Sequence, residues 1–360
     1  MPTAPVNKDG AALYYEDSGA PSSSDYVTII MLHGAVFHGA VFRRLFPYAG
    51  ASNLRIVLIN SRDYPGSSWY TDAEIEKFRG PPEVQASTLV AHALEFQTFI
   101  AWFIDTHNTP PIAANEDGSL SGGVAFLAWS AGNMQSLSLL AHADKASEKV
   151  RLLLEAHLRA FIMYAPSPGV IGAQTHPGVY NPFGDETLAP AEQLAAFFPC
   201  VCAHYTDTEL TPDAEAFEAA LVARKKLDIM PTYERMSPEE LENVVDRRER
   251  PQTHVPLGFI DLTLHQDIAR RALYDCCGEG SASPGASEPI WPRVRVCVLL
   301  PSRDVGHVVW AVELLRRQYE EARKAGKIGR TVDVVRIDGA NHFVHWEEPE
   351  RFVKLVASVV

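Results

Sequence analysis

Gly123-Val-Ala-Phe-Leu-Ala-Trp129-Ser130-Ala-Gly132 is the stretch that decides how this chain is read. An apolar run without alternation suits a strand buried on both faces. The segment after it, Ala131–Ala143, is apolar and rich in small residues, as a helix packed directly under a sheet would be. Ser130 therefore falls at a strand-to-helix turn, in a G-x-S-x-G pattern with Ala128 at the first small position. A sharp turn needs small residues two before and two after the serine, because larger ones collide with each other or with neighbouring backbone. The hydroxyl then stands at a helix N-terminus, where free N–H groups and the dipole favour developing negative charge.

Working outward, the same kind of run recurs at Val27–Leu32, Arg55–Ile59, Arg159–Tyr164, Val294–Leu300 and Val332–Ile337. Helix-length segments separate them. Pro81-Pro82 supplies a helix start, and Leu89, Val90, Ala93, Leu94, Phe96, Ile100, Phe103 and Ile104 follow at helical spacing. Val305–Lys324 and Pro349–Val359 are amphipathic helix candidates. Alternating strands and helices predict an α/β fold with a mostly parallel, doubly wound sheet. From Pro166 to Pro292 the rhythm breaks. Pro190–Phe198, Pro212–Lys226, Ser237–Arg248 and Gln266–Tyr274 read as helices, and Ser237-Pro-Glu-Glu240 has capping-box spacing. Gly278–Ser287 has linker composition. The expected organisation is a core from residues 1–165 and 293–360, interrupted by a helical cap and linker at 166–292.

A serine nucleophile needs a base. His342 lies in a Gly-containing loop just after the run Val332–Ile337, where side chains face the sheet's carboxyl edge. His345 competes, but His345-Trp346 reads as a packing pair. The base needs an orienting carboxylate, and Asp304 ends another buried run at the same edge. An N-cap role for Asp304 is the bland alternative. The chain order Ser130, Asp304, His342 favours a triad. His33-Gly34-Ala35-Val36 closes the first long strand. The N–H of Ala35, or of Val36, together with that of Ala131 is the candidate oxyanion hole, and His33 is expected to be structural. Gly34, Val36, Phe37, His38 and Trp129 are candidate substrate contacts, although strand alternation points Trp129 away from the Ser130 side.

With these residues in place, the chain resembles the α/β-hydrolase superfamily of the type with an inserted cap. The resemblance rests on His33-Gly34, Asp63-Tyr-Pro-Gly66-Ser67, Ala128-Trp-Ser130-Ala-Gly132, Arg303-Asp304, and Gly339-Ala-Asn-His342-Phe with Glu347-Glu-Pro349 behind it. It implies an eight-stranded, mostly parallel sheet, no metal or organic cofactor, and acyl transfer through Ser130. A nucleophilic Asp would have implied epoxide or haloalkane chemistry instead. Asp63–Ser67 resembles a supporting loop that is more often structural than catalytic. The expected activity is hydrolysis of a carboxylic ester or lactone of a small, largely apolar molecule. The alternatives are carbon–carbon or thioester hydrolysis by the same triad, or a receptor that keeps the hydrolase fold.

Composition narrows the classes further. The 360 residues carry 32 basic and 45 acidic side chains, a net charge of −13, which disfavours nucleic-acid partners. No apolar run is long enough to span a bilayer, and the N-terminus has no signal-peptide pattern, so a cytoplasmic protein without a membrane partner is expected. The sequence leaves the oligomeric state open. Five cysteines suggest reduced thiols rather than a disulfide framework. Cys200-x-Cys202-x-His204 matches no common zinc spacing and reads as cap packing. Asp246-Arg-Arg-Glu-Arg250 reads as a solvated helix face. Phe183, Phe197, Phe198 and Tyr205 are candidates for an apolar pocket roof.

Overall fold

The computed structural model describes residues 2–246, 257–278 and 285–360. Its centre is an eight-stranded sheet built from β1 (Thr3–Pro5), β2 (Ala12–Asp17), β3 (Val27–Leu32), β4 (Leu54–Ile59), β7 (Val124–Trp129), β8 (Leu158–Tyr164), β9 (Arg295–Pro301) and β10 (Val332–Ile337). A separate hairpin joins β5 (Ala113–Ala114) to β6 (Leu120–Ser121). The main order is β1-β2-β4-β3-β7-β8-β9-β10. β1 and β2 pair antiparallel, as do β2 and β4, and every pair from β4 to β10 is parallel.

The unbroken apolar runs lie where their composition puts them. β4, β7 and β8 are buried at every position, in the middle of the sheet under helices on both faces. β10 departs from the expectation of a buried strand. It is the sheet's edge, paired only to β9, and Val334 and Val335 are half-buried. β1 and β2 have no counterpart in the sequence reading. β2 buries only Leu13 and Tyr15, in alternation, so it lacks the continuous apolar signature of a central strand.

The helix after Pro81-Pro82 runs Pro82–His107. Six of its eight expected apolar positions are buried, while Val90 and Leu94 are half-buried. Gly132–Ser136 and Ser138–Ala141 follow β7, Gly306–Lys324 follows β9, and Pro349–Val359 closes the chain. The long insertion lies between β8 and β9. It contains the helices Pro190–Val201, Ala214–Val222, Thr232–Arg235 and Pro238–Val244, and no strand among the described residues. Ser237 caps as its spacing predicts: the Glu240 N–H donates to Ser237 Oγ at 3.1 Å, and the Ser237 N–H to Glu240 Oε2 at 2.9 Å. The last helical part, Leu262–Ala269 with one π-turn at Arg270–Tyr274, packs on the core helices Ser138–Ala141 and Gly306–Lys324.

Residues 247–250 of the expected solvated face, and 279–284 of the expected linker, lie outside the described residues. Asp246 itself is buried rather than solvated, and its N–H donates to the Val36 carbonyl at 2.8 Å. The five cysteines are free thiols. Among the described residues no helix is long and apolar enough to cross a membrane.

Candidate active site

Ser130 occupies the turn between β7 and Gly132–Ser136 with φ of +53°. A non-glycine residue there is strained, and it persists only where the surroundings over-determine it. They do so here. The Ser130 N–H donates to the Tyr164 carbonyl at 2.9 Å. The Asn133 side-chain amide donates to the carbonyls of Ser130 (2.9 Å) and Tyr164 (3.1 Å). A Cβ at Gly132 would sit 2.4 Å from the His33 carbonyl oxygen, and one at Gly34 would sit 2.9 Å from Ser130 Cβ. The end of β3 and the turn after β7 thus interlock, and each needs the other's glycine. Ala128, fully buried in β7, is tolerated at the first small position.

The loop after β3 is shaped from beneath. The Ser61 N–H donates to His33 Nε2 at 3.1 Å, which leaves Nδ1 to donate to the Gly34 carbonyl at 2.8 Å. His33 is buried and structural. Val36 adopts φ of +70° inside a three-residue turn closed by the Phe37 N–H on the Ala35 carbonyl at 2.8 Å. Its own N–H donates to the Tyr64 hydroxyl at 3.2 Å. Of the candidate donors, the Val36 N–H is thus engaged, whereas those of Ala35 and Ala131 have no protein acceptor among the described residues. Asp63-Tyr-Pro-Gly-Ser67 is supporting structure. Asp63 accepts from the Tyr70 N–H at 2.7 Å, and Ser67 Oγ donates to the Asn60 carbonyl at 2.7 Å.

Across the same sheet edge, His342 Nδ1 lies 2.9 and 3.0 Å from the two carboxylate oxygens of Asp304. Both side chains are buried. Asp304 also accepts from the Val305 N–H at 2.7 Å, but it is not the N-cap of the following helix; that position is Val305, without a side-chain bond. The His342 carbonyl accepts from Trp129 Nε1 (3.2 Å) and the Tyr164 hydroxyl (2.8 Å), which ties this loop to β7 and β8. His345 is buried against Trp129 and Phe42, and it lies 3.0 Å from the Tyr164 hydroxyl. Burial pushes its pKa well below the ordinary histidine value. It is a neutral packing residue, as its place beside Trp346 implied.

Ser130, Ala35 and Ala131 open onto a cavity of about 370 Å³, and Phe183 and Phe197 of the insertion line its far side. Among the described residues no Asp, Glu, Lys or Arg lines it. The expected substrate contacts need correction. Gly34, Val36, Phe37, His38 and Trp129 do not line this cavity. Gly34 is a spacer for Ser130. Val36, Phe37 and Trp129 are buried, and Phe37 meets Phe198 and Phe343 edge-on and Trp129 at a tilt. The His38 N–H donates to the Val244 carbonyl at 3.0 Å. Of the expected roof, Phe183 and Phe197 line the cavity, Phe198 packs on Phe37, and Tyr205 donates to the Cys200 carbonyl at 3.1 Å.

The sequence pattern of the alpha/beta hydrolase family matches residues 29–355. The chain belongs to this family. Solved structures that share the hydrolase fold include an esterase from Exiguobacterium antarcticum, 14% identical, with a TM-score of 0.50 over 100% of this chain and 99% of that one. A laboratory-evolved variant of potato epoxide hydrolase is 15% identical, with a TM-score of 0.51 over 99% of this chain and 98% of that one. At such identities the likeness is one of fold. No curated protein matches the chain.

Several supporting residues of this hydrolase-family site escaped the sequence reading. Asn133 and Tyr64 hold the two strained turns, and nothing but their proximity to Ser130 and Asp63 marks them. Arg224, from the insertion, donates to the Asp304 carbonyl and, at 2.7 Å, to Thr208 Oγ1. Glu347 is a hub between insertion and core. It accepts from Thr232 Oγ1 at 2.7 Å, lies 3.3 Å from His204 Nε2 and 3.3 Å from Arg235, and meets Asn341 at 3.4 Å. Burial pushes its carboxyl up, but hydrogen bonds from His204 and Thr232, with His204 and Arg235 close by, hold it below the usual range. The motif Glu347-Glu-Pro349 was visible, but its partners in the insertion lie more than 100 residues away.

Proposed function

We propose that the protein is a serine hydrolase that cleaves a carboxylic ester or lactone of a small uncharged molecule. The observation that carries this reading is the strained Ser130 at the cavity floor, at the same sheet edge as the buried His342–Asp304 pair. In this reading Ser130 Oγ attacks the carbonyl carbon as His342 Nε2 takes its proton. Asp304 fixes the Nδ1–H tautomer and stabilises the imidazolium. The tetrahedral oxyanion is met by the N–H groups of Ala35 and Ala131, each worth about 10²–10³ in rate. Protonation of the leaving oxygen by His342 expels the alcohol, and water deacylates Ser130 by the same steps. A serine rather than a carboxylate at the turn favours acyl chemistry over an alkyl-enzyme route. A cavity wall without charged side chains among the described residues suits a neutral substrate.

The test is Ser130→Ala. It should lower turnover of p-nitrophenyl butyrate by about 10⁴-fold or more, and it should abolish labelling by a serine-directed fluorophosphonate. Labelling or turnover that survives this change would overturn the assignment.

A further inference from the structure

His307 stands in the first turn of Gly306–Lys324, three residues after Asp304, and it lines the same cavity as Ser130. Its Nδ1 is buried and meets neither a donor nor an acceptor among the described residues. It does not cap the helix, whose first turn begins at Val305 without a side-chain bond. A buried polar atom without a partner is a standing cost, and packing alone would be better served by Leu or Phe. The ring also stays uncharged. Burial lowers its pKa to about 4, with His342 adding to the effect and Asp304 opposing it, and a helix N-terminus disfavours a cation.

An unpaired ring nitrogen is less costly to bury as a bare lone pair than as an N–H. The proton therefore belongs on Nε2, which has no protein partner among the described residues and is not sealed from solvent. The result is a neutral donor in a wall that also presents Ser167, Gln174, Thr175 and Asn181. None of the described lining residues is charged, and His307 follows Asp304 by three residues.

We propose that His307 is a specificity-determining residue whose Nε2–H binds a second oxygen acceptor on the substrate, so that the preferred ester or lactone carries a ketone, amide, ether or hydroxyl oxygen besides its scissile group. This rests on the serine-hydrolase reading above and replaces a purely apolar substrate with an oxygenated one. Hydrocarbon esters become the poorer substrates, because they leave the donor unpaired.

Two matched pairs test it. One places the extra oxygen in the acyl chain (p-nitrophenyl 4-oxopentanoate against p-nitrophenyl pentanoate), the other in the alcohol (2-methoxyethyl butyrate against butyl butyrate). The wild-type enzyme should favour the oxygenated member of at least one pair by about tenfold in kcat/KM. That ratio should fall to near one in His307→Phe and be largely kept in His307→Gln, which retains a donor. A ratio within a pair is insensitive to partial misfolding. A wild-type ratio near one for both pairs, or a ratio unchanged in His307→Phe, overturns the proposal. Binding of the same four esters to Ser130→Ala, read as dissociation constants by calorimetry, separates this from failure of the parent reading. A binding preference that His307→Phe abolishes, without turnover by the wild type, sustains the role of His307 and sinks the esterase. Turnover with no such preference does the reverse.

Discussion

The turn that carries Ser130 and the loop that carries Asp304 lie at one sheet edge, yet they are held by different parts of the molecule. The serine turn is fixed by core residues: Tyr164, Asn133, and the backbone of His33 and Gly34. The Asp304 loop rests on the core at one end, where the Ser302 N–H donates to the Ile337 carbonyl at 3.0 Å and the Arg303 N–H to the Ala340 carbonyl at 2.8 Å, and is held from the insertion as well. The Tyr205 N–H donates to the Arg303 carbonyl at 3.0 Å, and Arg224 donates to the Asp304 carbonyl. Ser130 is thus shaped by steric exclusion within the parallel sheet. Asp304 is positioned in part by hydrogen bonds from a segment that begins after β8. The first kind of constraint dictates residue identity locally, whereas the second leaves little trace in the residues nearby.

The strongest way to break this contrast is Gly132→Ala. With the His33 oxygen 2.4 Å from the new Cβ, backbone must shift, and p-nitrophenyl butyrate turnover should fall by at least about 10²-fold. Turnover close to wild type would show that the turn is not sterically locked. Arg224→Met examines the other half. It frees the Asp304 carbonyl without touching the cavity, and kcat should drop about tenfold with KM nearly unchanged. Stability should fall by about 1–3 kcal/mol in urea titrations, the cost of a buried acceptor left unpaired. A change in KM alone would mean that the insertion serves binding and not the acid.

Smallest in effect on activity, and confined to stability, is the pH response of the scaffold beyond either loop. Burial lowers the pKa of His92, His142 and His265 to about 4 each. In the unfolded chain each titrates near about 6.5. Below that value the unfolded state takes up protons that the folded state refuses. Stability should therefore be full above about pH 6.5 and fall toward pH 4, by about 1 kcal/mol per pH unit for each group. Urea midpoints from pH 7.5 to 5 measure this slope, and a flat profile would show these histidines to be solvated.

The same contrast explains what could be read from the residues alone. The parallel strands were legible because each is dominated by apolar residues, even β10 with its Asp333 and Arg336, and Ser130 was legible because its turn demands Gly132 and a small residue at 128. Asp304 and His342 were found by order and by their place after strands. β1 and β2 were not legible, since short antiparallel strands of three to six residues, buried at alternate positions, look like any mixed segment. The cavity lining was not legible either. Phe37 and Trp129 adjoin the site in sequence but face the core, while His307, one helical turn past the acid, faces the cavity. Contact with a ligand depends on side-chain direction, which sequence neighbourhood does not supply.

Glu347 carries one further consequence. Its carboxylate grips Thr232, His204 and Arg235 of the insertion, and it sits in Val344–Glu347, the short helix that follows His342. Glu347 lies five positions from His342, so whatever shifts those segments of the insertion must also release the short helix that follows that histidine. The seating of the insertion and the placement of the His342 loop therefore share one fastener, as the two halves of an interlock do.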